Sequence, residues 1–303
     1  MSSLSQIIES AKARNATGLL IHPGVSPRVR LGQEWIATEI APFSVVQAQQ
    51  LFSSWLSEDE RKSIQENKII EGVKTLGNIQ FQFSFFLDME GFKGSLYWKN
   101  KKATNNEWWT FPDLAVDILN RQQGIVVVCG LRRSGKTSAV QSMLSSLSKK
   151  FMKSALVISD FDDWAVDLNN LDTSMLISRL PSSQFLKSSS FPPAEADVVI
   201  IDSRYPEFAD KALRWAEDGR LVVLTLTSSS LNTGLERFLN QCNGCQETNQ
   251  KRLAQQFRMG LGLRLVPGVE LPLVGAYELA LGSPEVAESI RKGSMDLFNQ
   301  STQ

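Results

Sequence analysis

The sequence predicts an α/β protein in two parts, a small N-terminal α/β domain and a larger domain built on a buried parallel sheet. Three observations carry that prediction. From Pro112 onward, short apolar runs alternate with helical stretches, the pattern of a parallel sheet covered on both faces. Gly130-Leu-Arg-Arg-Ser-Gly-Lys-Thr137 stands between one of those runs and a helical stretch. Earlier in the chain, Phe81, Phe83 and Phe85 alternate with polar residues, which is the period of a half-buried strand. At 303 residues, 42% apolar and 21% charged, the chain is long enough to bury two cores.

Within residues 1–100 the clearest helix runs from Ser44 to Leu56, where Val45, Ala48, Leu51, Phe52 and Trp55 share a face. The Phe81–Leu87 strand and a second at Leu96–Trp98 form a hairpin across a glycine-rich turn at Gly91–Gly94. The polar run Lys99–Glu107 marks a linker at 101–111, so the domains are 1–100 and 112–303. Lys99, Lys101 and Lys102 read as a solvated loop, and Trp108-Trp109 as a hinge packing surface. In the larger domain, strands are expected at Ile125–Val128, Ala155–Ile158, Val198–Ile201 and Leu221–Leu226. Helices are expected at Thr137–Lys149 and Phe208–Glu217, a Ser- and Pro-rich loop at Pro181–Pro193, and a helical C-terminal third. No repeat of solenoid period is present.

Composition narrows the function. Lysine plus arginine equals aspartate plus glutamate at 32 each, so no net field draws the molecule to nucleic acid or to an anionic membrane. No stretch is long and apolar enough to span a bilayer, and Met1–Asn15 lacks the apolar core of a signal peptide; a cytoplasmic protein is expected. Three cysteines are not a disulfide framework. Cys242-Asn-Gly-Cys245 has C-x-x-C spacing without a second pair, and the sole histidine, His22, is distant in sequence. A histidine-based triad is excluded on that count, which leaves the chemistry to carboxylates, lysine, arginine and backbone.

The segment Gly130–Thr137 is a G-x-x-x-x-G-K-T phosphate loop in its required strand-to-helix context. Backbone N–H groups of Gly130, Leu131, Arg132, Arg133, Ser134 and Gly135, with those of Lys136, Thr137 and Ser138 at the helix start, would cradle the phosphates of ATP. Lys136 would reach the β and γ oxygens, and Thr137 would ligate Mg2+. Val198-Val-Ile-Ile-Asp202 supplies an aspartate at a strand end, either the carboxylate that orients magnesium through water or an ordinary buried strand's terminus. Ser159-Asp160, with Asp162 and Asp163 behind, is an acidic turn that faces the γ-phosphate in one reading and solvent in the other.

Taken in order, these segments resemble the PilT-like branch of the type II/IV secretion ATPases over nearly the whole chain. Thr17–Ile21 through Gly24–Arg30 is similar to the family's S-D-L-H-L and G-x-P-P-x-x-R segments, and Phe92–Ser95 to its R-F-R-V-N strand. Asp197–Arg204 resembles D-I-I-L-V-G-E-M, Gly219–Thr227 resembles G-H-L-V-x-x-T-L-H, and Arg252–Arg258 through Leu265-Val-Pro267 and Tyr277–Pro284 resembles the C-terminal region. The resemblance implies a PAS-like N-terminal domain, a RecA-like P-loop ATPase domain, and a homo-hexamer with ATP at subunit boundaries. It further implies a cytoplasmic motor for type IV pilus retraction, twitching motility or secretion, peripheral at the inner membrane. A membrane platform protein and a paralogous motor ATPase are the implied partners.

The departures fall where the family places its chemistry. The glutamate of its aspartate box is Ser159 here, with Asp160 retained; the glutamate of its Walker B is Ser203, with Asp202 before it; its T-L-H histidine is Thr227. The arginines of R-F-R are reduced to Lys93, which cannot form a bidentate contact. Either Asp202 and Asp160 take over magnesium orientation and water alignment in a rewired site, or the loop binds nucleotide and hydrolyses it poorly. The second reading makes the chain a nucleotide-binding regulator that co-assembles with an authentic motor.

Overall fold

The structure is a computed structural model that describes residues 4–31, 34–76, 79–98, 115, 117–119, 123–148, 154–160, 176–188, 192–266 and 274–294. The chain divides into two compact units, Met1–Asn105 and Asn106–Gln303. The expected linker at 101–111, the cluster of Lys99, Lys101 and Lys102, Trp108-Trp109, Asp162 and Asp163 lie outside the described residues.

The first unit is a six-stranded sheet in the order β3-β2-β1-β6-β5-β4. Its strands are Gly18–Ile21 (β1), Arg28–Leu31 (β2), Glu34–Ala37 (β3), Ile69–Leu76 (β4), Ile79–Asp88 (β5) and Gly91–Trp98 (β6). All neighbouring pairs are antiparallel. Helix α2, Val45–Trp55, opens on a reciprocal capping box between Ser44 and Gln47, so both orphan donors at its start are satisfied. It buries Ala48, Leu51 and Phe52, whereas Val45 at its first turn is exposed, against the expected face. Two further helices were not expected. In α1, Leu4–Ala13, Leu4, Ile7, Ile8 and Ala11 recur at helical spacing and are buried; α3, Glu58–Asn67, starts on the capping box Ser57/Glu60 and buries only Ile64.

The hairpin is present, but its turn is Met89-Glu90, and Gly91–Gly94 lies inside β6. Gly94 faces the ring of Phe85: a Cβ there would stand 2.3 Å from Phe85 Cδ1, so this glycine makes room for an aromatic partner.

The second unit is a seven-stranded sheet in the order β13-β12-β7-β11-β10-β8-β9, parallel from β12 through β9. The expected strands appear as Gly124–Gly130 (β7), Ser154–Ser159 (β8), Val198–Asp202 (β10) and Leu221–Thr227 (β11). The expected helices appear as Lys136–Ser148 (α4) and Phe208–Glu217 (α6). Alternate residues of each strand feed opposite cores. Val126, Val128, Ala155, Val157, Val198, Ile200, Leu221 and Val223 pack with Ala139, Val140, Met143 and Leu144 of α4. Ile125, Val127, Leu156, Ile158, Val199, Ile201, Val222 and Leu224 pack on the other face with Leu213 and Trp215 of α6.

Two expectations are corrected. Pro181–Pro193 is not wholly loop: Leu176–Pro181 forms edge strand β9 and Ser182–Ser188 a short helix, α5. That helix is anchored by Phe185, which lies 5.5 Å from Trp215 and 6.1 Å from Phe208 between ring centroids. The C-terminal third is mixed. Helices α7 (Leu231–Gln241), α8 (Gln246–Gln256) and α9 (Pro284–Lys292) accompany strands β12 (Phe257–Val266) and β13 (Val274–Leu281), which complete the sheet beside β7. Gly260 and Gly262 break up the apolar run of β12 and obscure its strand pattern.

Gly234 in α7 sits against Cys129 of β7, where an added Cβ would meet Sγ at 2.2 Å and Ser228 Oγ at 2.8 Å. Alanine ordinarily stabilises a helix interior by about 0.5–1 kcal/mol relative to glycine. Here overpacking should dominate, and Gly234→Ala should destabilise the protein by about 1–3 kcal/mol in a denaturant titration; an unchanged midpoint would contradict this packing.

Candidate functional site at the phosphate loop

Strand β7 is buried along its length and delivers Gly130 to the edge of the sheet, where the chain turns through 131–135 into α4. The turn is closed by the Ser134 N–H donating to the Leu131 carbonyl at 3.1 Å. Arg133 (φ 65) and Gly135 (φ 88) are left-handed, a strained state for arginine and an easy one for glycine. No side chain other than hydrogen fits at 130: a Cβ would come within 2.2 Å of Ser134 Oγ and 2.9 Å of the Leu263 carbonyl. Leu131, Arg132 and Arg133 are exposed, and Ser138 is half-buried in the first turn of α4.

Three side chains converge at this loop. Lys136 Nζ donates to the carbonyls of Gly130 and Leu131, both at 2.8 Å. Burial lowers its pKa while the Asp202 carboxylate pulls the other way. Thr137 Oγ1 donates to Asp202 Oδ2 at 2.7 Å, joining the loop to the end of β10 across 65 residues of sequence. Ser134 is buried, and among the described residues its hydroxyl has no hydrogen-bond partner. An orphaned hydroxyl inside a loop rimmed by backbone N–H groups fits an oxyanion ligand, and a hydroxyl–carboxylate pair at its base fits a hydrated divalent cation. Cys129, just before the loop, is pushed by burial up to about 11 and is therefore a packing residue without thiolate chemistry at neutral pH.

The two described carboxylates at these strand ends, Asp202 and Asp160, are both engaged. Thr225 Oγ1 donates to Asp202 Oδ1 at 2.5 Å, so both Asp202 oxygens are held. The Asp160 side chain is 7% exposed and accepts from the Ser203 hydroxyl at 2.6 Å and from the Arg204 backbone N–H at 2.8 Å. The Arg204 guanidinium lies 3.4 Å from the same carboxylate. In the first unit, Lys93 pairs with Asp88 at 2.7 Å and with Glu90.

No protein-family model matches the chain. It is 25% identical over 260 residues to the uncharacterized protein YggR of Escherichia coli strain K12, spanning 84% of this chain and 79% of that one. It is 22% identical over 294 residues to the type IV pilus ATPase PilU of Pseudomonas aeruginosa, spanning 93% and 75%. The crystal structure of the pilus retraction motor PilT with bound ADP superposes with a TM-score of 0.75 at 21% identity, over 97% of this chain and 88% of that one. The chain has a PilT-like fold.

In this PilT-like fold, the four departures have definite surroundings. Ser159 ends β8, level with Asp202 in the neighbouring strand, and is buried. Ser203 supplies the hydroxyl that Asp160 holds. Thr227 is an exposed residue at the end of β11 whose carbonyl accepts from Arg237 at 3.1 Å. Lys93 is occupied by its two acidic neighbours.

Two participants escaped the sequence reading. Thr225 is a lone hydroxyl in Leu-Val-Val-Leu-Thr-Leu, and its strand parity with Leu221 and Val223 was the available signal that it faces α4. For Arg204, whose side chain is 56% exposed, no signal in the sequence foretold the pairing with Asp160.

Asp160 thus ties the segment after β10 to the end of β8. Its replacement by alanine should cost about 1–3 kcal/mol, because it removes two hydrogen bonds to a carboxylate whose side chain is 7% exposed. A melting temperature unchanged from wild type would show that the carboxylate has no such structural duty.

Proposed function

We propose that this protein binds Mg2+–ATP at Gly130–Ser138 and serves a pilus or secretion machine as a motor-class subunit with weak hydrolysis. The observation that carries the binding is the Thr137–Asp202 contact at 2.7 Å, which couples the phosphate loop to an aspartate where P-loop enzymes keep the carboxylate that orients magnesium. Bound PilT–ADP in the superposed structure supports nucleotide as the ligand class. Thr137 and Asp202 would hold the metal, Asp202 through water, and the metal would neutralise charge on the phosphates.

Weak hydrolysis follows from the state of the carboxylates. A general base must be within reach of the attacking water and have a lone pair to accept its proton. Asp160 is buried and bound by Ser203 and Arg204, Asp202 is bound by Thr137 and Thr225, and the two family glutamates are serines. Lys93, where the family has arginine, is neutralised by Asp88 and Glu90. Loss of such groups costs orders of magnitude in rate and leaves the backbone phosphate contacts in place.

Beside Gly130 the second unit offers a cleft of about 160 Å3, lined by Ser230, Arg264, Tyr277 and Glu278 among others. That is small against the roughly 300 Å3 or more of a pocket that encloses a ligand of nucleotide size. Of the loop residues only Gly130 lines this cleft, so the support for a ring of subunits with ATP at their boundaries is the family resemblance and not the cleft. A regulator that co-assembles with an active motor would use the same geometry.

Lys136→Ala should abolish binding of a fluorescent ATP analogue while leaving the circular dichroism spectrum unchanged; retained affinity would remove the phosphate-loop assignment. Wild-type steady-state turnover should fall well below about 1 per second, the low end for kinase-type phosphoryl transfer. Rates at or above that value would restore the full motor reading. Light scattering should detect a ring-sized species promoted by ATP, and a strict monomer at saturating nucleotide would argue against subunit-boundary binding.

A further inference from the structure

Strand register places one polar row across the C-terminal edge of the sheet. Val128 of β7 is level with Thr225 of β11, and Ile201 of β10 with Leu224, so Asp202 adjoins Thr225. Asp202 in turn is level with Ser159 of β8. By strand parity, Thr225, Asp202 and Ser159 all belong to the face covered by α4, the helix that begins with Lys136 and Thr137. Every inward residue of β11 before Thr225 is aliphatic, and Thr225 itself is only 4% exposed. A buried hydroxyl in that position needs a partner, and it finds one in Asp202 Oδ1 at 2.5 Å.

The two hydroxyls therefore act on the carboxylate differently. Thr137 is the metal-ligand candidate, and its proton goes to Oδ2, which leaves its oxygen lone pairs for a cation. Thr225 holds Oδ1 from the neighbouring strand and so fixes the rotation of the carboxylate about its bond to Cβ. It thereby adds a donor from a neighbouring strand to the one that Thr137 supplies. We infer that Thr225 is a positioning residue that presets the Asp202 carboxylate for magnesium, so that the chain selects the metal complex of its nucleotide over the free nucleotide.

This inference rests on the nucleotide-binding reading, and the experiment separates the two. Affinity of a fluorescent ATP analogue is measured in excess Mg2+ and in excess EDTA for wild type, Lys136→Ala, Thr225→Val and Thr225→Ser. Valine keeps the shape and removes the donor; serine keeps the donor. Thr225→Val should weaken binding about tenfold in Mg2+, the scale of a hydrogen bond to a charged group. In EDTA it should change affinity less than about twofold, and Thr225→Ser should recover most of the Mg2+ preference. Equal loss in both buffers would reduce Thr225 to a packing residue, and no loss in Mg2+ would overturn the inference outright. If wild type binds in a Lys136-dependent manner and Thr225→Val is silent, only this inference fails; if wild type binds no nucleotide in either buffer, both readings fall.

Discussion

The contact between Thr137 and Asp202 depends on strands β7, β11 and β10 ending level with one another at the edge of the sheet. Each contributes one element in the same layer: β7 the loop that leads to Thr137, β11 the hydroxyl of Thr225, β10 the carboxylate. A slip of β10 by one residue would send Asp202 to the opposite face, into the core built around Trp215, and would bring Ile201 to the loop. The register is pinned on both sides of the sheet, because Ile125–Val128, Ala155–Ile158, Val198–Ile201 and Leu221–Leu224 are all buried in one of the two cores. The polar site is therefore a product of apolar packing below it. Its geometry is as rigid as the aliphatic layers that set the strand ends.

This explains which parts of the molecule were legible in the sequence. Buried parallel strands declare themselves as unbroken apolar runs, and the phosphate loop has a spacing that few other structures require, so β7, β8, β10, β11 and the loop could be located from residue types. The edge of the sheet was less legible. Strand β12 carries Gly260 and Gly262 in its middle, and β13 has Gly275 near its start and Gly282 just past its end, so the local signal for strand was weak and tertiary pairing decided the outcome. Helix α5 formed from a Ser-rich segment because Phe185 found Trp215 and Phe208, a contact between segments that periodicity does not report. Helices α1 and α3, by contrast, carried readable signals in the spacing of Leu4, Ile7, Ile8 and Ala11 and in the Ser57/Glu60 capping box.

In the site itself, residue identity was legible and residue engagement was not. Asp160 and Asp202 could be singled out as acidic groups at strand ends, but the same pattern serves a catalytic carboxylate and a structural one. What separates them is the count of donors around each oxygen. Ser203 and Arg204 lie next to Asp202 in sequence, yet they serve Asp160, just past the end of β8. Only the pairing of β10 with β8 brings those groups together.

The replacements at Ser159 and Ser203 can be weighed in that setting. Ser159 lies in the same row as Asp202 and is buried, so a glutamate there would place a second carboxylate beside one already fixed by two threonines. At 203 the conflict is closer still, because the position now supplies a proton to Asp160, and a carboxylate would present a lone pair to a lone pair. Crowded carboxylates repel and raise one another's pKa, which disfavours the ionised pair unless a cation lies between them. Serine at both positions relieves that repulsion and turns one of the acids into the anchor of the loop that bears Arg204. The two substitutions and the engagement of Asp160 are thus one coherent arrangement: Asp160 is held by donors from the segment after β10, and the residue level with Asp202 on β8 is a serine rather than a second carboxylate.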